Sequence, residues 1–478
     1  YPGVELVVEA DLSTDTDPYV DDHVFGGERL LPAVMGLEAM SQAAVALMGS
    51  DAPLLFEDVH FSRPVVIPKT GSMTIRVAAL LRESGQVDVV LRSSETGFHV
   101  DHFRATCRVN ESPTFLAEDK RKKERLSLSQ RPLIPLVPER DLYGHILFHQ
   151  GRFRRVRGYR LLRATECLAE IAVSDASQWF GRYLPQSFLL GDPGARDAVI
   201  HAIQACIPHG TLLPIGVDRL TLGADRARGS QLVHARERSQ EGNLFVYDVD
   251  VTGTDGVLHE RWEGLRLRKV TDKAPDGPWS IPLLGPYVER RVKELIPGIA
   301  VMVVVEQGEG ERQARSDHAM TQALGRTLPI CRRPDGKPEI VGDDKLAASA
   351  SHVGELTLAV AGPSPLACDI EPVTTRAASV WRDLLGPERA TLAELIASES
   401  GEDQHTAFTR VWCASECLKK AGAMVNAPLV LASIAKDGWV ALESGPVKIA
   451  TCVVSIHGLE DKLVMAVLAK ACAADRTE

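Results

Sequence analysis

The sequence lacks the features that would place a protein in a membrane, on nucleic acid or in an oxidising compartment. No apolar run approaches the length of a transmembrane helix, and no signal peptide opens the chain. The nine cysteines are scattered, and no pair has the spacing of a zinc site. The net charge of −10 disfavours a general nucleic-acid binder, although it is compatible with a local basic site for a phosphorylated ligand. We therefore expect a cytoplasmic protein that binds neither nucleic acid nor a membrane.

With 478 residues, of which 45% are hydrophobic and 25% charged, the chain has the composition of a soluble globular protein and the length of two or three domains. It begins at Tyr1 rather than at a methionine, so we expect it to be part of a longer polypeptide. A proline-rich stretch between Lys273 and Pro297 is typical of a semi-rigid connector. We place one domain at residues 1–290, the end of the connector at 291–297 and a second domain at 298–478.

The first candidate site lies between His23 and Pro32, just ahead of the apolar segment 33–49. This segment carries one charge, on Glu38, and its apolar residues recur at helical spacing, which predicts a helix buried on nearly all sides. The start of such a helix offers free backbone N–H groups. A histidine beside these donors suits proton transfer next to an oxyanion, although a lone histidine before a helix is more often structural.

The order of elements in residues 1–290 repeats, although there is no literal sequence repeat. A buried helix followed by strands that end at Gly, Pro or charged turns is predicted in residues 1–112 and again in 131–290. We place the second helix at Asp197–Cys206 and interpret the mixed-charge run 111–130 as a solvated linker or exposed helix. One apolar helix wrapped by an antiparallel sheet is typical of a hot-dog fold. We therefore predict two fused hot-dog halves.

Asp197 and His201 are four residues apart and therefore share one face of the second helix. Together with the pattern His-x-x-x-Gly-x-x-x-x-Pro, formed by His23, Gly27 and Pro32, they resemble the motifs of polyketide synthase dehydratases, which remove water from 3-hydroxyacyl thioesters. The resemblance implies that His23 is the base for the C2 proton and His201 orients the carboxyl group of Asp197. Asp197 would be the acid for the C3 hydroxyl if apolar surroundings raise its pKa. A backbone N–H near Gly27 would polarise the thioester carbonyl.

Further similarity, to the dehydratases of enediyne-type iterative polyketide synthases, lies in the segments 61–68, 147–153 and 262–268. It extends over most of residues 1–290. We interpret His149, in a predicted loop near the entry to the second half, as structural rather than catalytic. The alternative function for this domain is a product-template-like cyclase that uses His23 and Asp197 on an enolisable polyketone.

Residues 298–478 contain acidic and basic residues in an order that suits a diphosphate ligand. Asp369 and Glu371 alternate along a predicted strand, and Glu416 on a predicted helix would complete three oxygen ligands for Mg²⁺. Lys420 lies one turn after Glu416 on the same helix face, where its charge can offset that of a phosphate. The remaining candidate contacts to the ligand are Arg332, Lys337, Ser351 and His352.

The order of these residues resembles that of the 4′-phosphopantetheinyl transferases, which move the pantetheine arm of coenzyme A to a serine of a carrier protein. The resemblance implies two similar, pseudo-dimeric α/β halves with coenzyme A between them, and Glu416 as a candidate base for the acceptor serine. The family usually has lysine where this chain has Ser415. This departure leaves a degenerate carrier-docking scaffold as the alternative.

The sequence thus predicts an α+β chain in which a double hot-dog dehydratase precedes a phosphopantetheinyl transferase, as in the C-terminal portion of an enediyne-type iterative polyketide synthase. The expected partners are an acyl carrier protein of the same synthase, other synthase domains and a second copy of the chain in a homodimer. Mg²⁺, coenzyme A and the phosphopantetheine arm of the carrier are the expected cofactors.

Overall fold

The computed structural model of the chain describes residues 3–49, 54–82, 85–109, 119–174, 176–181, 187–223, 229–272, 277–326, 328–334, 336–424 and 426–470. The chain divides into two units, Tyr1–Ala274 and Pro275–Glu478. The division therefore falls earlier than the predicted boundary at residue 290, which lies inside a helix of the second unit, Ile281–Leu295. Pro282 is compatible with this helix because it occupies the first turn, where no backbone N–H is needed. The predicted connector up to residue 297 is thus largely helical.

The first unit contains long antiparallel strands and few helices. Its strands are β1 (Glu5–Leu12), β2 (Val24–Phe25), β3 (Glu28–Leu30), β4 (Leu54–Phe61), β5 (Val66–Ile67), β6 (Met73–Leu81), β7 (Val87–Ser93), β8 (Phe103–Val109), β9 (Val156–Leu162), β10 (Glu166–Ala172), β11 (Thr211–Leu222), β12 (Ser230–Glu241), β13 (Leu244–Gly253) and β14 (Leu258–Thr271). Its helices are α1 (Ala33–Met48), α2 (Asp119–Ser129), α3 (Pro138–Asp141) and α4 (Pro193–His201). α2 lies in the predicted mixed-charge linker, of which residues 111–118 are outside the described residues.

One sheet runs through both halves of this unit. Within the described ranges, eleven strands pair in the order β1-β6-β7-β8-β4-β11-β14-β13-β12-β10-β9. The halves join where β4 pairs with β11, with Val59 opposite Val217, so the ladder of hydrogen bonds continues from one half into the other. α1 packs against β6 and β7, and α4 packs against β10. A helix therefore covers each half of the sheet, as the prediction of two hot-dog halves requires.

α1 is buried over most of its length, as its composition predicts. Leu37, Met40 and Ala44 have no exposed surface. Gly36 allows the helix to approach the sheet closely, since a Cβ at this position would lie 2.3 Å from the ring of Phe103 on β8. The helix ends at Gly49, whose φ of 63° is the left-handed conformation that glycine readily adopts.

The helix of the second half begins earlier than predicted. α4 starts at Pro193 and continues after His201 as a 3-10 turn, Ala202–Cys206. The start is set by Asp192, whose side chain accepts a hydrogen bond from the backbone N–H of Gly194 at 3.0 Å. Asp197 therefore lies inside the helix rather than at its start, which corrects the predicted range Asp197–Cys206.

The second unit contains shorter strands and longer helices. Its helices are α5 (Ile281–Leu295), α6 (Arg312–Leu324), α7 (Ala378–Leu385), α8 (Pro387–Ser400) and α9 (Gln404–Lys420). Its strands are β15 (Met302–Gln307), β16 (Ile330–Arg332), β17 (Pro338–Ile340), β18 (Leu346–Val353), β19 (Leu356–Pro363), β20 (Leu366–Pro372), β21 (Val430–Ile434), β22 (Val440–Ser444), β23 (Val447–Val454) and β24 (Leu463–Lys470).

The described residues of this unit form two larger sheets and a two-stranded sheet of β16 and β17. The first sheet has the order β15-β19-β18 and is covered by α6, and the second has the order β20-β24-β23-β22-β21 and is covered by α9. β18 and β20 are in contact, so the end of one sheet adjoins the start of the other. Of the helices in the described parts of the chain, none is both long enough and apolar enough to cross a membrane.

Candidate active sites

His23 follows a short 3-10 helix, Pro18–Asp22, and precedes β2. Its Nδ1 lies 3.0 Å from the carbonyl oxygen of Leu30 on β3. Since a carbonyl oxygen only accepts hydrogen bonds, Nδ1 carries the hydrogen and the lone pair of the neutral ring is on Nε2. The residue is 7% exposed. His23 is therefore a buried side chain whose free nitrogen can accept a proton.

Asp197 and His201 lie on the buried face of α4, as their spacing predicts. Oδ2 of Asp197 lies 2.9 Å from Nδ1 of His201 and 3.2 Å from Nε2 of His149. The rings of His149 and His201 are stacked, with centroids 4.0 Å apart. The structure thus brings the predicted residues together and adds His149, which the sequence analysis interprets as structural. His149 belongs to the motif segment 147–153, so the sequence could point to this residue. The segment does not, however, predict the contact between His149 and Asp197.

His23, His149 and Asp197 form a compact group. Each contributes one nitrogen or oxygen atom, and these three atoms all lie within 4.8 Å of one another. Such a spacing is also compatible with a metal ion. The carboxylate charge is, however, already balanced by N–H donors from the two neighbouring imidazoles, so we interpret the group as an acid–base site.

Burial and mutual contacts set the protonation of this group. Burial lowers the pKa of His23 to about 4 and that of His149 to about 4, although the charge of Asp197 opposes both shifts. Burial raises the pKa of Asp197, but the charges and hydrogen bonds of His149 and His201 outweigh it and hold this pKa below its usual range. The expectation that apolar surroundings raise the pKa of Asp197 is therefore wrong, because two imidazoles contact its carboxylate.

The three residues line one cavity, whose other walls are mainly apolar. The apolar lining consists of Ala33, Phe148, Ile200, Leu212, Leu213, Pro214 and Leu267. Ala33 is the first residue of α1, where backbone N–H groups have no acceptor within the helix. Apolar walls of this kind suit an acyl chain, and their low polarity strengthens the interactions of the few polar groups.

Gly27 does not lie at the start of α1. Gly26 and Gly27 form the exposed two-residue turn between β2 and β3, with φ values of 60° and 84°. The role predicted for Gly27, a donor to the thioester carbonyl at a helix start, is therefore corrected. The donors at that helix start are the N–H groups of Ala33 and Val34, of which Ala33 lines the cavity.

His201 is held at both ring nitrogens. Its Nδ1 contacts Asp197, and its Nε2 lies 3.4 Å from the hydroxyl oxygen of Tyr143. The Tyr143 hydroxyl accepts a hydrogen bond from the backbone N–H of Val156 at 3.0 Å, which leaves its hydrogen directed to His201. These contacts agree with the predicted role of His201 in orienting Asp197, and that role stays a prediction.

The predicted acidic residues of the second unit lie around Asp369 on β20. Oδ1 of Asp369 accepts hydrogen bonds from Oγ of Ser351 at 2.9 Å and from Nζ of Lys420 at 2.8 Å. Ser351 is on β18 and Lys420 ends α9, so three elements meet at one carboxylate. The other oxygen, Oδ2, is buried and has no hydrogen-bond partner among the described residues. A buried carboxylate oxygen without a donor is a suitable ligand for a cation.

Glu371 and Glu416 are near Asp369, but the three carboxylates do not form a compact ligand group. Burial raises the pKa of Glu371, and the charges of Asp369 and Glu416 raise it further. Across the described ranges, the group in the first unit is the one set of three such side chains whose ligand atoms all lie within 4.8 Å. Glu416 instead pairs with Lys419 at 2.5 Å.

His352, on β18, is surrounded by basic side chains. Its Nδ1 accepts a hydrogen bond from Nε of Arg312 on α6 at 3.1 Å. Burial and nearby positive charges lower the pKa of His352 to about 4, and those charges belong to Arg312, Arg315, Lys420 and Arg332. Arg312 and Arg315 are not among the predicted residues because the helix that carries them has no recognisable motif.

The remaining predicted residues of this unit are placed as follows. Arg332 ends β16 and pairs with Asp317 of α6 at 2.5 Å. Lys337 is half-buried in the turn that precedes β17. Ser415 is buried and donates a hydrogen bond to the carbonyl oxygen of Val411 at 2.7 Å. Ser415 therefore faces the protein interior.

The fold and the buried histidine–aspartate group define the first unit as a double hot-dog acid–base enzyme. Two family models match this part of the chain: polyketide synthase dehydratase domain over residues 2–94, and polyketide synthase dehydratase N-terminal domain over residues 122–277. Together they match just over half of the chain. Over most of its length, the first unit is therefore similar to polyketide synthase dehydratase domains. The sequence-based prediction of a polyketide synthase dehydratase is confirmed at this level.

Several solved structures are similar to the chain at low sequence identity. The dehydratase domain from the CurJ module of curacin polyketide synthase is 19% identical, with 56% of this chain and 93% of that chain covered and a TM-score of 0.45. An N-terminal dehydratase from the difficidin assembly line is 17% identical, with 57% and 95% covered and a TM-score of 0.45. A trans-acyltransferase polyketide synthase enoyl-isomerase is 17% identical, with 55% and 100% covered and a TM-score of 0.42. A comparison with curated proteins finds no match. The similarity to dehydratase domains therefore rests on the two family models.

Proposed function

We propose that the first unit removes water from 3-hydroxyacyl thioesters held on an acyl carrier protein, giving enoyl thioesters. The observation that carries this proposal is that His23 and Asp197, which come from different halves, line the same apolar cavity. The C2 proton and the C3 hydroxyl sit on bonded carbon atoms, so the base and the acid have to face each other across a short gap. The spacing within 4.8 Å in the group of His23, His149 and Asp197 meets that condition.

In this proposal His23 is the base. Its Nε2 is free because Nδ1 is bonded to Leu30, and its pKa of about 4 keeps the ring neutral near pH 7. Nε2 takes the C2 proton, the electrons of the C2–H bond form the double bond, and the C3–O bond breaks. The departing oxygen takes a proton from the group around Asp197 and leaves as water. The N–H of Ala33 supports the negative charge that develops on the thioester oxygen.

The direct test supplies the protein with a 3-hydroxyacyl carrier protein. The expected result is the loss of one water from the carrier-bound chain by mass spectrometry, together with the absorbance of an enoyl thioester. A product-template-like cyclase would instead cyclise an enolisable polyketone and would form no enoyl product from the 3-hydroxyacyl carrier. Cyclisation of the polyketone together with no loss of water from the 3-hydroxyacyl carrier would overturn the dehydratase proposal.

We further propose that the synthase is an iterative, enediyne-type enzyme of the cytoplasm. The similarity of segments 61–68, 147–153 and 262–268 supports this assignment. The carrier protein and other synthase domains would be partners in the same polypeptide or in its homodimer mate. Size-exclusion chromatography with light scattering tests the homodimer, and a monomer would count against it.

For the second unit we propose transfer of 4′-phosphopantetheine from coenzyme A to a carrier-protein serine. The supporting observation is the side-by-side arrangement of an acidic group on Asp369 and a basic group on His352, linked by Lys420, which contacts the first and lowers the pKa of the second. Phosphates need the basic group, whereas a divalent cation bound to a diphosphate needs the acidic one. Arg312 and Arg315 extend the basic group beyond the predicted residues.

The residues present fit Mg²⁺. The buried Oδ2 of Asp369 has no hydrogen-bond partner in the described part of the chain, and Glu371 and Glu416 add the hard oxygen ligands that Mg²⁺ prefers. When bound, Mg²⁺ would offset the charge of the diphosphate. Lys420 and the arginines would bind phosphate oxygens, Ser351 would orient Asp369, and Glu416 would accept the proton of the attacking serine hydroxyl.

Incubation of the protein with coenzyme A, Mg²⁺ and an apo-carrier protein tests this activity. The expected result is a mass gain on the carrier serine equal to one phosphopantetheine group. No gain with carriers from the same synthase would overturn the transferase and favour the degenerate docking scaffold.

A further inference from the structure

His23 and Asp197 come from different halves of the first unit, so contacts between those halves set the distance between the two side chains. Reacting groups have to be held closely in place, since a displacement of about 1 Å can lower a rate about 100-fold. The ladder between β4 and β11 joins the halves within the sheet. Asp22, the residue next to His23, makes a second connection between them.

Asp22 is held by the three residues that follow His149. Its carbonyl oxygen accepts a hydrogen bond from the backbone N–H of Gln150 at 2.8 Å. Its carboxylate oxygen Oδ2 accepts one from the backbone N–H of Arg152 at 3.2 Å and another from Nη1 of the same residue. A Cβ at Gly151 would overlap this carboxylate, so glycine lets the two segments approach each other. The backbone and the side chains thus both fix this contact.

Arg152 makes further contacts with both halves. Its Nη1 lies 3.3 Å from the carbonyl oxygen of Pro18, at the start of the 3-10 helix that precedes the histidine. Its Nε donates a hydrogen bond to the carbonyl oxygen of Gln178 at 2.6 Å. The carbonyl oxygen of Arg152 packs against Gly194 in the first turn of α4, where a Cβ would lie 2.5 Å from it. Arg152 therefore connects the 3-10 helix before the proposed base with the helix α4.

The ion pair of Arg152 and Asp22 is stronger than an ordinary surface pair. The side chains are 27% and 19% exposed, so water screens them only in part. Hydrogen bonds between charged partners are stronger than those between neutral ones. The planar guanidinium group holds its donors in fixed directions, and here they reach a carboxylate and two carbonyl oxygens. Such a group fixes the positions of its acceptors as well as their charge.

We propose that Arg152 and Asp22 are positioning residues that hold His23 at its working distance from Asp197. This inference rests on the proposed dehydratase function. Neither Arg152 nor Asp22 lines the cavity, so both act through the histidine and not on the substrate. Without the ion pair, the segment that carries His23 is held less firmly against α4. The ring then moves relative to Asp197, and water reaches it.

Steady-state kinetics of an arginine variant test the inference. Arg152→Ala removes the donors and leaves a space of the size of a guanidinium ion. We expect kcat for dehydration of the 3-hydroxyacyl carrier to fall about 10- to 100-fold. KM should stay within about twofold of that of the unchanged protein, because the walls that bind the acyl chain are the same. Millimolar guanidinium chloride should restore part of kcat. Arg82→Met, which removes an exposed ion pair with Asp88, is the control and should change neither constant.

Titration of His23 by NMR tests the same inference without catalysis. Its ring signal is identified by its absence from His23→Phe. Burial lowers the pKa of His23 to about 4, and the charges of Asp197 and His149 act on it in opposite directions. If Arg152→Ala lets water reach the ring, this pKa should rise toward its ordinary value of 6.5. The pKa should not change in Arg82→Met.

The two measurements separate the inference from the function on which it rests. If the unchanged protein releases no water from the 3-hydroxyacyl carrier, the dehydratase function fails, and the titration still tests the positioning of His23. An unchanged kcat or an unchanged pKa of His23 in Arg152→Ala overturns the inference. A loss of kcat that guanidinium does not restore, together with a lower midpoint of thermal unfolding, shows general damage and also overturns it. Asp22→Asn, which keeps an acceptor oxygen and removes the charge, serves as the second variant if Arg152→Ala does not fold, and a smaller loss of kcat is expected.

Discussion

The two units hold their candidate sites together by different means. In the first unit, N–H groups of two imidazoles surround the carboxylate of Asp197, and the whole group is buried against apolar walls. In the second unit, Asp369 is paired with Lys420, but Glu371 and Glu416 stay outside that pair. Neutral donors and one negative charge pack together readily, whereas three carboxylates repel one another. Packing therefore assembles the first site, and we expect a bound cation and diphosphate to complete the second.

The largest expected effect is the loss of the base in the first unit. His23→Phe keeps a ring in the buried position but cannot accept a proton, so dehydration should fall about 10³-fold. Transfer of phosphopantetheine by the same protein should be unchanged, which sharpens the contrast between the two sites. Both activities are measured on carrier proteins by mass spectrometry. A dehydration rate of His23→Phe within a few-fold of that of the unchanged protein would show that His23 is not the base.

The next largest effect is expected at Asp369. Asp369→Asn retains a hydrogen-bond acceptor for Lys420 but removes the charge that a cation needs, so phosphopantetheine transfer should fall about 100-fold. Calorimetric titration with Mg²⁺ in the presence of coenzyme A should show weaker binding than in the unchanged protein. Asp383→Asn on the exposed surface of α7 is the matched control and should behave normally. Undiminished Mg²⁺ binding would show that Asp369 is not a metal ligand.

The third prediction concerns the pH dependence of the stability of the first unit, whose buried site contains two histidines with lowered pKa values. His23 and His149 have pKa values of about 4 when folded, against an ordinary value of 6.5, so the unfolded chain binds protons first as the pH falls. The two buried neutral histidines therefore contribute fully to the free energy of unfolding above pH 6.5. This contribution is lost between pH 6.5 and pH 4, and the loss is about 3 kcal/mol for each histidine.

Chemical unfolding at pH 7 and pH 5 measures this effect. The unchanged protein should lose stability of its first unit over this range, and His23→Phe should lose less because it removes one of the two titrating groups. Asp197 does not interfere, because its lowered pKa makes its own contribution disappear only at more acidic pH. Equal pH dependence in both proteins would contradict the burial of a neutral His23.

The smallest effect is expected from packing alone. Gly36→Ala would place a Cβ 2.3 Å from the ring of Phe103, so α1 has to shift and the first unit should lose about 1–3 kcal/mol of stability. Gly308→Ala in the second unit is the control, since its nearest atom would be 3.9 Å away. Thermal unfolding measures both. An unchanged transition for Gly36→Ala would show that α1 can move away from the sheet without cost.

The site of the first unit was largely predictable from local spacing. His201 follows Asp197 by one helical turn, and His23 precedes a helix whose apolar composition predicts its burial, so three of the four polar residues can be found without a structure. His149 cannot, because its contact with Asp197 depends on how the chain before β9 folds back onto α4. The position predicted for Gly27, at the start of α1, is wrong. A glycine pair predicts a tight turn, but only the structure shows that this turn connects β2 and β3 before α1 begins.

The order of elements was also predictable, whereas several boundaries were not. Repetition of helix and strands predicts two hot-dog halves, and the predicted strand that ends with Asp369 and Glu371 corresponds to β20. The prolines between Lys273 and Pro297 predict a connector. Ile281–Leu295 of this stretch forms α5 instead, since the apolar residues Leu284 and Val288 are buried in the second unit and Pro282 is compatible with a first turn.

The sequence by itself determined the residue types and the helical and strand spacings that place His23, Asp197 and Asp369 in two separate sites. Only the tertiary structure decided the protonation of Asp197, because that depends on His149 and His201 meeting at one oxygen. An isolated buried aspartate would have a raised pKa, and the same aspartate between two imidazole donors has a lowered one. Local spacing can predict that a carboxyl group is buried, but its charge is set by neighbours from distant parts of the chain.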